Sequence, residues 1–155
     1  MGMQGLGSLF GARKISARAT PEEPRPRARP ASRPTPDLAL AWLKDGNGQF
    51  VTAGGPVAGH ARDEIAGLAK GQAPIAIIVG CSDSRVAPEI LFQCRMGDLF
   101  VVRTAGASVD PAALGSIEYG VEHLGCPLVV VLGHSGCGAV TAATTLVRVS
   151  TTPRT

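Results

Sequence analysis

Residues 75–85 read IAIIVGCSDSR, an apolar run that ends abruptly in thiol, hydroxyl and charged side chains. An uninterrupted apolar run of this length is typical of a strand buried on both faces of a parallel sheet. A second such run, LVVVL, occupies residues 128–132, and a third candidate strand covers residues 99–103. Segments with helical character separate these strands. The alternation predicts an α/β fold with a parallel β-sheet core flanked by helices.

Side chains that bind metal ions follow two of these strands directly. Cys81 and Asp83 come after the first strand, whereas His134 and Cys137 come after residues 128–132. Because the carboxyl ends of neighbouring parallel strands share one edge of a sheet, we expect these four side chains to lie together. Two sulfurs, one nitrogen and one oxygen suit tetrahedral zinc. A carboxylate is easier to displace from zinc than a thiolate, so the set indicates a catalytic rather than a structural site.

Two motifs carry a resemblance to a known family. Cys-x-Asp-x-Arg occupies residues 81–85, and His-x-x-Cys-Gly occupies residues 134–138. Three further segments lie at the distances from these motifs that the same family shows. They are GQAP (residues 71–74), GDLFVVRTAG (residues 97–106) and GSIEY (residues 115–119). The sequence thus resembles the plant-like branch of the β-class carbonic anhydrases. The resemblance implies one Zn²⁺ per chain and the reversible hydration of carbon dioxide to bicarbonate and a proton by zinc-bound hydroxide.

The same resemblance implies roles for the metal-site residues. Cys81, His134 and Cys137 would be the permanent zinc ligands, and Asp83 would be an exchangeable fourth. Asp83 and Arg85 would form the catalytic pair: while Arg85 holds Asp83, the fourth zinc position is open to water, and when the pair breaks Asp83 closes it. Judged from the residues alone, a salt bridge that caps the following helix is the alternative.

A substrate pocket is also implied by the resemblance. Gln72 would offer an amide N–H to substrate from the neighbouring subunit, which requires a homodimer or a larger homo-oligomer. Phe100 and Tyr119 would supply an apolar wall, and Gly106 would permit close approach of the backbone near the metal. Taken singly, each of these residues fits ordinary packing better; only the shared offsets favour the pocket.

Charge and composition divide the chain. Residues 1–36 hold seven of the 15 Arg and Lys residues and two of the 12 acidic residues, together with many prolines. This Pro/Arg-rich extension is predicted to be disordered, and an organelle transit peptide within it is a less favoured alternative to a cytoplasmic chain. The remainder has more acidic than basic residues, so we expect no nucleic-acid partner. No apolar run reaches the roughly 20 residues of a membrane span.

Residues 37–147 are predicted to form an incomplete zinc domain and residues 148–155 an irregular tail. Asp37 is expected to N-cap a helix that ends at Gly46. Cys94 and Cys126 are expected to be small buried side chains, although a disulfide between them is not excluded. Only 18 residues follow Cys137, whereas the family continues for several dozen more, in strands and helices that would be missing here. Two alternatives to a working carbonic anhydrase follow: a truncated zinc-binding fragment without turnover, or a carbonyl sulfide or carbon disulfide hydrolase.

Overall fold

The sheet at the centre of the fold is parallel, as predicted. The computed structural model of the chain describes residue 30 and residues 32–53 and 62–151. Within these residues the sheet has three strands in the order β2-β1-β3. The strands are β1 (Ala76–Cys81), β2 (Leu99–Thr104) and β3 (Val129–Leu132). Because both neighbours run parallel to β1, all three carboxyl ends meet at one edge.

The register shows which residues meet at that edge. Cys81 lies opposite Thr104 on β2, and Gly80 lies opposite Leu132 on β3. His134 is therefore delivered two residues past the point where β3 stands beside β1. The loops that leave β1 and β3 consequently start side by side, which places the two motifs against each other.

Burial on both faces explains why β1 is uniformly apolar. All six of its residues are buried. Ala76 and Ile78 pack on one face with Leu43 of the first helix, and Ile77 and Val79 pack on the other face with the helix that follows β2. A strand covered on both sides has no solvent-facing positions, so it shows no polar alternation. The predicted α/β class is confirmed.

Helices cover the sheet and link its strands. Five α-helices are found in the described residues: α1 (Pro36–Ala53), α2 (Arg62–Leu68), α3 (Pro88–Leu91), α4 (Pro111–Glu122) and α5 (Gly138–Thr151). Short 3₁₀ turns occupy Ser84–Val86 and Ala105–Ala107. Asp110 caps α4, since its carboxylate accepts a hydrogen bond from the Ala113 N–H at 2.8 Å. No helix in the described ranges is long and apolar enough to cross a membrane.

Helix α1 differs from the sequence-based prediction at both ends. Thr35, rather than Asp37, caps it, because the Thr35 hydroxyl accepts the Leu38 N–H at 3.3 Å. The helix also continues through Gly46 to Ala53. Gly46 is buried, and the next residue, Asn47, donates a side-chain hydrogen bond to the Leu91 carbonyl of α3 at 3.1 Å. Tertiary packing on α3 therefore overrides the weak helix propensity of glycine.

The ends of the chain are only partly described. Most of the extension predicted for residues 1–36 lies outside the described residues. Helix α1 begins at Pro36, which was predicted to be the last residue of that extension. Helix α5 runs to Thr151, past the boundary at residue 147, so at least the first part of the predicted irregular tail is helical. Residues 152–155 lie outside the described ranges.

The remaining cysteines are buried, as expected. Cys94 and Cys126 are both free thiols. Cys94 packs with the α1 side of the sheet and Cys126 with the α4 side. Their sulfurs bond to different carbonyls, those of Phe92 and Pro74 respectively. The structure contains no disulfide between them.

Candidate metal centre

Three of the four predicted ligands converge at the carboxyl edge of the sheet. The ligand atoms of Cys81, His134 and Cys137 all lie within 4.8 Å of one another. The two sulfurs are 3.8 Å apart. Cys81 ends β1, His134 follows β3, and Cys137 directly precedes α5, where its carbonyl accepts the Thr141 N–H at 3.0 Å. Cys81 therefore belongs to strand β1, whereas His134 and Cys137 lie in the short connection between β3 and α5.

A hydrogen bond to the Ser135 carbonyl orients the His134 ring. Its Nδ1 lies 3.0 Å from the Ser135 carbonyl oxygen. A carbonyl can only accept, so Nδ1 is the donor of this hydrogen bond, and Nε2 is the ring nitrogen left for a metal ion. Nε2 is buried and, among the described residues, has no hydrogen-bond partner. A buried nitrogen without a partner is costly, and a metal ion between Nε2 and the two sulfurs would satisfy it.

The surroundings of Cys81 favour its thiolate form. The neighbouring His134 imidazole lowers the pKa of Cys81 to about 6, and the main-chain N–H groups of Asp83 and Gly106 add to the effect. Gly106 N lies 3.3 Å from Cys81 Sγ. Gly106 has φ +70°, and an added Cβ would come within 3.4 Å of Ala139. Glycine therefore suits the close approach of this backbone to the sulfur.

Asp83 is held by Arg85 rather than by the three ligands. Arg85 Nε donates to Asp83 Oδ1 at 2.9 Å, and Arg85 Nη2 donates to Oδ2 at 2.8 Å. The Arg85 side chain holds the pKa of Asp83 well below its usual range, and the Arg85 main-chain N–H contributes as well. Arg85 Nη2 also reaches the Gly136 carbonyl at 3.2 Å, which links the two motifs. Asp83 also accepts a hydrogen bond from Arg85 N as the cap of the 3₁₀ turn, so the capping salt bridge is observed, and the catalytic role of the pair stays a prediction.

Three of the four residues assigned to the substrate pocket, Gln72, Phe100 and Tyr119, lie away from the metal group of their own chain. Phe100 stands opposite Ile77, four residues before Cys81, which is about 13 Å along the strand at 3.3 Å per residue. Its ring centroid is 6.1 Å from that of Tyr119. Gln72 is exposed and precedes the start of β1, at the opposite end of that strand from Cys81. Gly106, by contrast, lies beside the candidate metal group, where its N–H approaches Cys81 Sγ.

Arg103 is a contact of the site that sequence reasoning missed. Its guanidinium donates to the main-chain carbonyls of Cys81 and Asp83. The sequence feature that could have indicated this contact is a charged residue near the end of an otherwise apolar strand, LFVVRT. Such a residue is costly to bury unless its donors are satisfied, so it indicates a specific partner.

Taken together, the residues fit a zinc ion. Two thiol sulfurs and one imidazole nitrogen are a common zinc set, and a fourth position remains for water or an oxygen ligand. The lowered pKa of Cys81 favours the thiolate that a metal requires, and His134 Nε2 is a buried nitrogen without a hydrogen-bond partner among the described residues.

Comparison with known proteins places this arrangement in context. The family model for carbonic anhydrase matches residues 76–154. Carbonic anhydrase 2 of Mycobacterium tuberculosis is 52% identical over 122 residues, which cover 77% of this chain and 59% of that protein. The chain thus spans about three fifths of that relative's length.

Solved structures show the same likeness. The β-carbonic anhydrase CcaA superposes with a TM-score of 0.53 and 32% identity, over 72% of this chain and 55% of that one. Two tetrameric β-carbonic anhydrases from Sordaria macrospora were solved together, and a chain from that study gives a TM-score of 0.50 and 31% identity. In that comparison the match covers 70% of this chain and 52% of the other.

Proposed function

The chain belongs to the β-carbonic anhydrase family, and from this we propose that Cys81, His134 and Cys137 bind one zinc ion and that the chain hydrates carbon dioxide. The observation that carries the proposal is the convergence of two sulfurs and one unpartnered, buried imidazole nitrogen within 4.8 Å. Zinc, when bound there, supplies Lewis-acid chemistry that makes water a nucleophile near neutral pH.

We assign Asp83 and Arg85 to control of the fourth position beside this group. The two Arg85 nitrogens occupy both Asp83 oxygens, so in this state the carboxylate is turned to Arg85 and is not among the three converging ligands. Ionised Asp83 can still accept a hydrogen bond from a water near the group and orient it. Release from Arg85 would free Asp83 as a fourth ligand, because the hydrogen bonds that its carboxylate makes with described residues all come from Arg85.

The substrate pocket is proposed to be shared between subunits. Gln72, Phe100 and Tyr119 lie toward the far end of β1 from Cys81, so they do not surround the metal group of their own chain. A partner placed with that end against the carboxyl edge would bring them to the metal site. A homodimer or larger homo-oligomer supplies such a partner, and we place carbon dioxide and bicarbonate in the resulting pocket.

Stopped-flow carbon dioxide hydration on the purified chain tests the proposal. We expect activity that chelation removes and zinc restores, together with one zinc per chain. Cys81→Ser should lose both metal and activity, whereas Cys94→Ala, which alters a cysteine outside the group, should keep one zinc per folded chain. Metal binding without hydration in the wild-type chain would refute the assigned reaction and leave a zinc-binding fragment.

A further inference from the structure

Arg103 donates hydrogen bonds to the main chain of two metal-site residues, Cys81 and Asp83. Arg103 Nε donates to the Cys81 carbonyl at 2.9 Å, and Arg103 Nη2 donates to the Asp83 carbonyl at 2.6 Å. Both contacts are part-buried, and they join positions 20 or more residues apart in sequence. A single planar guanidinium therefore bridges residues 81 and 83.

The place of Arg103 in the sheet explains why the backbone needs this support. The main-chain ladder between β1 and β2 ends when Ser82 N donates to the Thr104 carbonyl at 2.9 Å. Beyond that bond the chain turns away from β2. The part-buried carbonyl of Asp83 still needs a donor. The rigid fork of arginine can serve two carbonyls at fixed separation, which a single lysine nitrogen does less well.

The two arginines at the site hold different parts of the same loop. Arg85 binds the Asp83 carboxylate, whereas Arg103 binds only main-chain oxygens of that loop. His134 and Cys137 arrive on the separate loop after β3. The distance between the Cys81 sulfur and these two donors therefore depends on how firmly the first loop is held.

We infer that Arg103 is a positioning residue that clamps the Cys81–Asp83 backbone, so that the Cys81 sulfur and the Asp83 side chain meet the ligands delivered by β3. This inference rests on the zinc site proposed above. Outer groups that orient metal ligands typically contribute 10- to 100-fold to metal affinity, and Arg103 acts on two such residues through their main chain.

A purely structural role for Arg103 would give a different result. Any half-buried arginine stabilises a fold, so loss of thermal stability alone decides nothing. Arg95 offers a matched control: it is half-buried near the amino end of β2, pairs with Glu64, and is absent from the contacts of the metal group. Arg95→Met should lower stability without altering metal binding.

Cobalt substitution provides the test, because Co²⁺ bound by two sulfurs and one nitrogen absorbs visible light according to its geometry. Arg103→Met, Arg103→Lys, Arg95→Met and the wild-type chain are titrated with Co²⁺ against a competing chelator. We expect Arg103→Met to bind at least about tenfold more weakly with altered visible bands, and Arg103→Lys to fall between it and the wild type. Arg95→Met should match the wild type.

Wild-type affinity and spectrum in both Arg103 variants would overturn the inference. If Arg103→Met fails to fold, Arg103→Lys decides alone: weaker binding supports the clamp, and wild-type binding refutes it. Zinc-loaded wild-type protein is assayed for carbon dioxide hydration in parallel. A wild-type chain that binds cobalt tetrahedrally but does not hydrate carbon dioxide refutes the proposed function and leaves the Arg103 comparison valid. A wild-type chain that binds no cobalt refutes both.

Discussion

Individual side chains at the metal centre are prepared for a cation by their neighbours. The Ser135 carbonyl holds His134 Nδ1 as a hydrogen-bond donor, which leaves Nε2 as the nitrogen for a metal ion. His134 and two main-chain N–H groups favour the Cys81 thiolate. Arg85 keeps Asp83 ionised and turned aside. Each effect is a short-range hydrogen bond or charge contact, so each can be tested by changing one residue.

In metal-free protein the Cys81 thiol should ionise at an unusually low pH. Its pKa of about 6 lies well below the ordinary value of 9.0, chiefly because of His134. We expect a step in ultraviolet thiolate absorbance centred near pH 6 that Cys81→Ser abolishes. Cys126→Ala should leave that step intact, since burial raises the pKa of Cys126. A step that appears only near pH 9 would contradict the contacts described here.

Asp83 should make folding stability depend on acid pH. Its pKa is lowered in the folded protein, so the ionised carboxylate stabilises the fold above the ordinary pKa of 3.8. That stabilisation falls as pH drops below about 4 and is lost as pH passes through the lower folded pKa. In metal-free protein the difference in unfolding free energy between wild type and Asp83→Asn should therefore be constant near neutrality and shrink below about pH 4. A difference that stays constant below pH 4 would show that the ion pair does not stabilise the fold.

At the scale of elements, helix α4 lies unusually close to the sheet at one point. Gly120 is buried, and a Cβ added there would approach Ile77 Cδ1 to 2.7 Å and Phe100 Cδ1 to 3.3 Å. Ile77 is fully buried, so it has little freedom to move away. The absence of a side chain at Gly120 therefore sets the distance between α4 and the sheet.

Replacing either of two glycines of α4 by alanine should change the stability of the protein in opposite directions. Gly120→Ala should destabilise the protein by about 1–3 kcal/mol, because overpacking against Ile77 outweighs the gain in helix propensity. Gly115 is exposed, and nothing lies within 4 Å of an added Cβ. Gly115→Ala should therefore stabilise by up to about 1 kcal/mol. Chemical denaturation of both variants measures the two values, and stabilisation by Gly120→Ala would refute the close packing.

For the whole molecule, the sheet is unevenly covered. Strand β3 pairs with β1 on one side, and Val129 and Val131 remain 42% and 71% exposed. The proposed metal ligands lie at one end of β1, whereas Phe100, Tyr119 and Gln72 lie toward the other. In a single chain the proposed metal ligands and the proposed substrate-pocket residues are therefore separated. We propose that assembly of at least two chains brings them together.

Mixed assemblies should reveal this sharing. Cys81→Ser removes a metal ligand, and Gln72→Ala removes a proposed substrate donor at the other end of β1. In a mixed two-fold dimer, one of the two sites combines the intact metal group of one chain with the intact Gln72 of its partner. Random mixing of equal amounts of the two variants makes about half of the dimers mixed, and half of the sites in these dimers are intact. The mixture should therefore recover about a quarter of the wild-type activity, although each variant alone is impaired. Activity no greater than the sum of the separate variants would place Gln72 outside a shared site.

Local sequence was sufficient for the α/β class and for the convergence of Cys81, His134 and Cys137. The apolar run before Cys81 and the donor residues after it are read within a few positions, and strand ends in a parallel sheet converge by rule. The full length of α1 was not foreseen, since glycine propensity at Gly46 opposed it and contacts with α3 reversed it. Only the tertiary structure could show the hydrogen bonds of Arg103 to the Cys81 and Asp83 carbonyls, the unpartnered His134 nitrogen, and the position of Phe100 opposite Ile77, four residues before Cys81. These features depend on the register between strands distant in sequence, which the short-range pattern of residues does not encode.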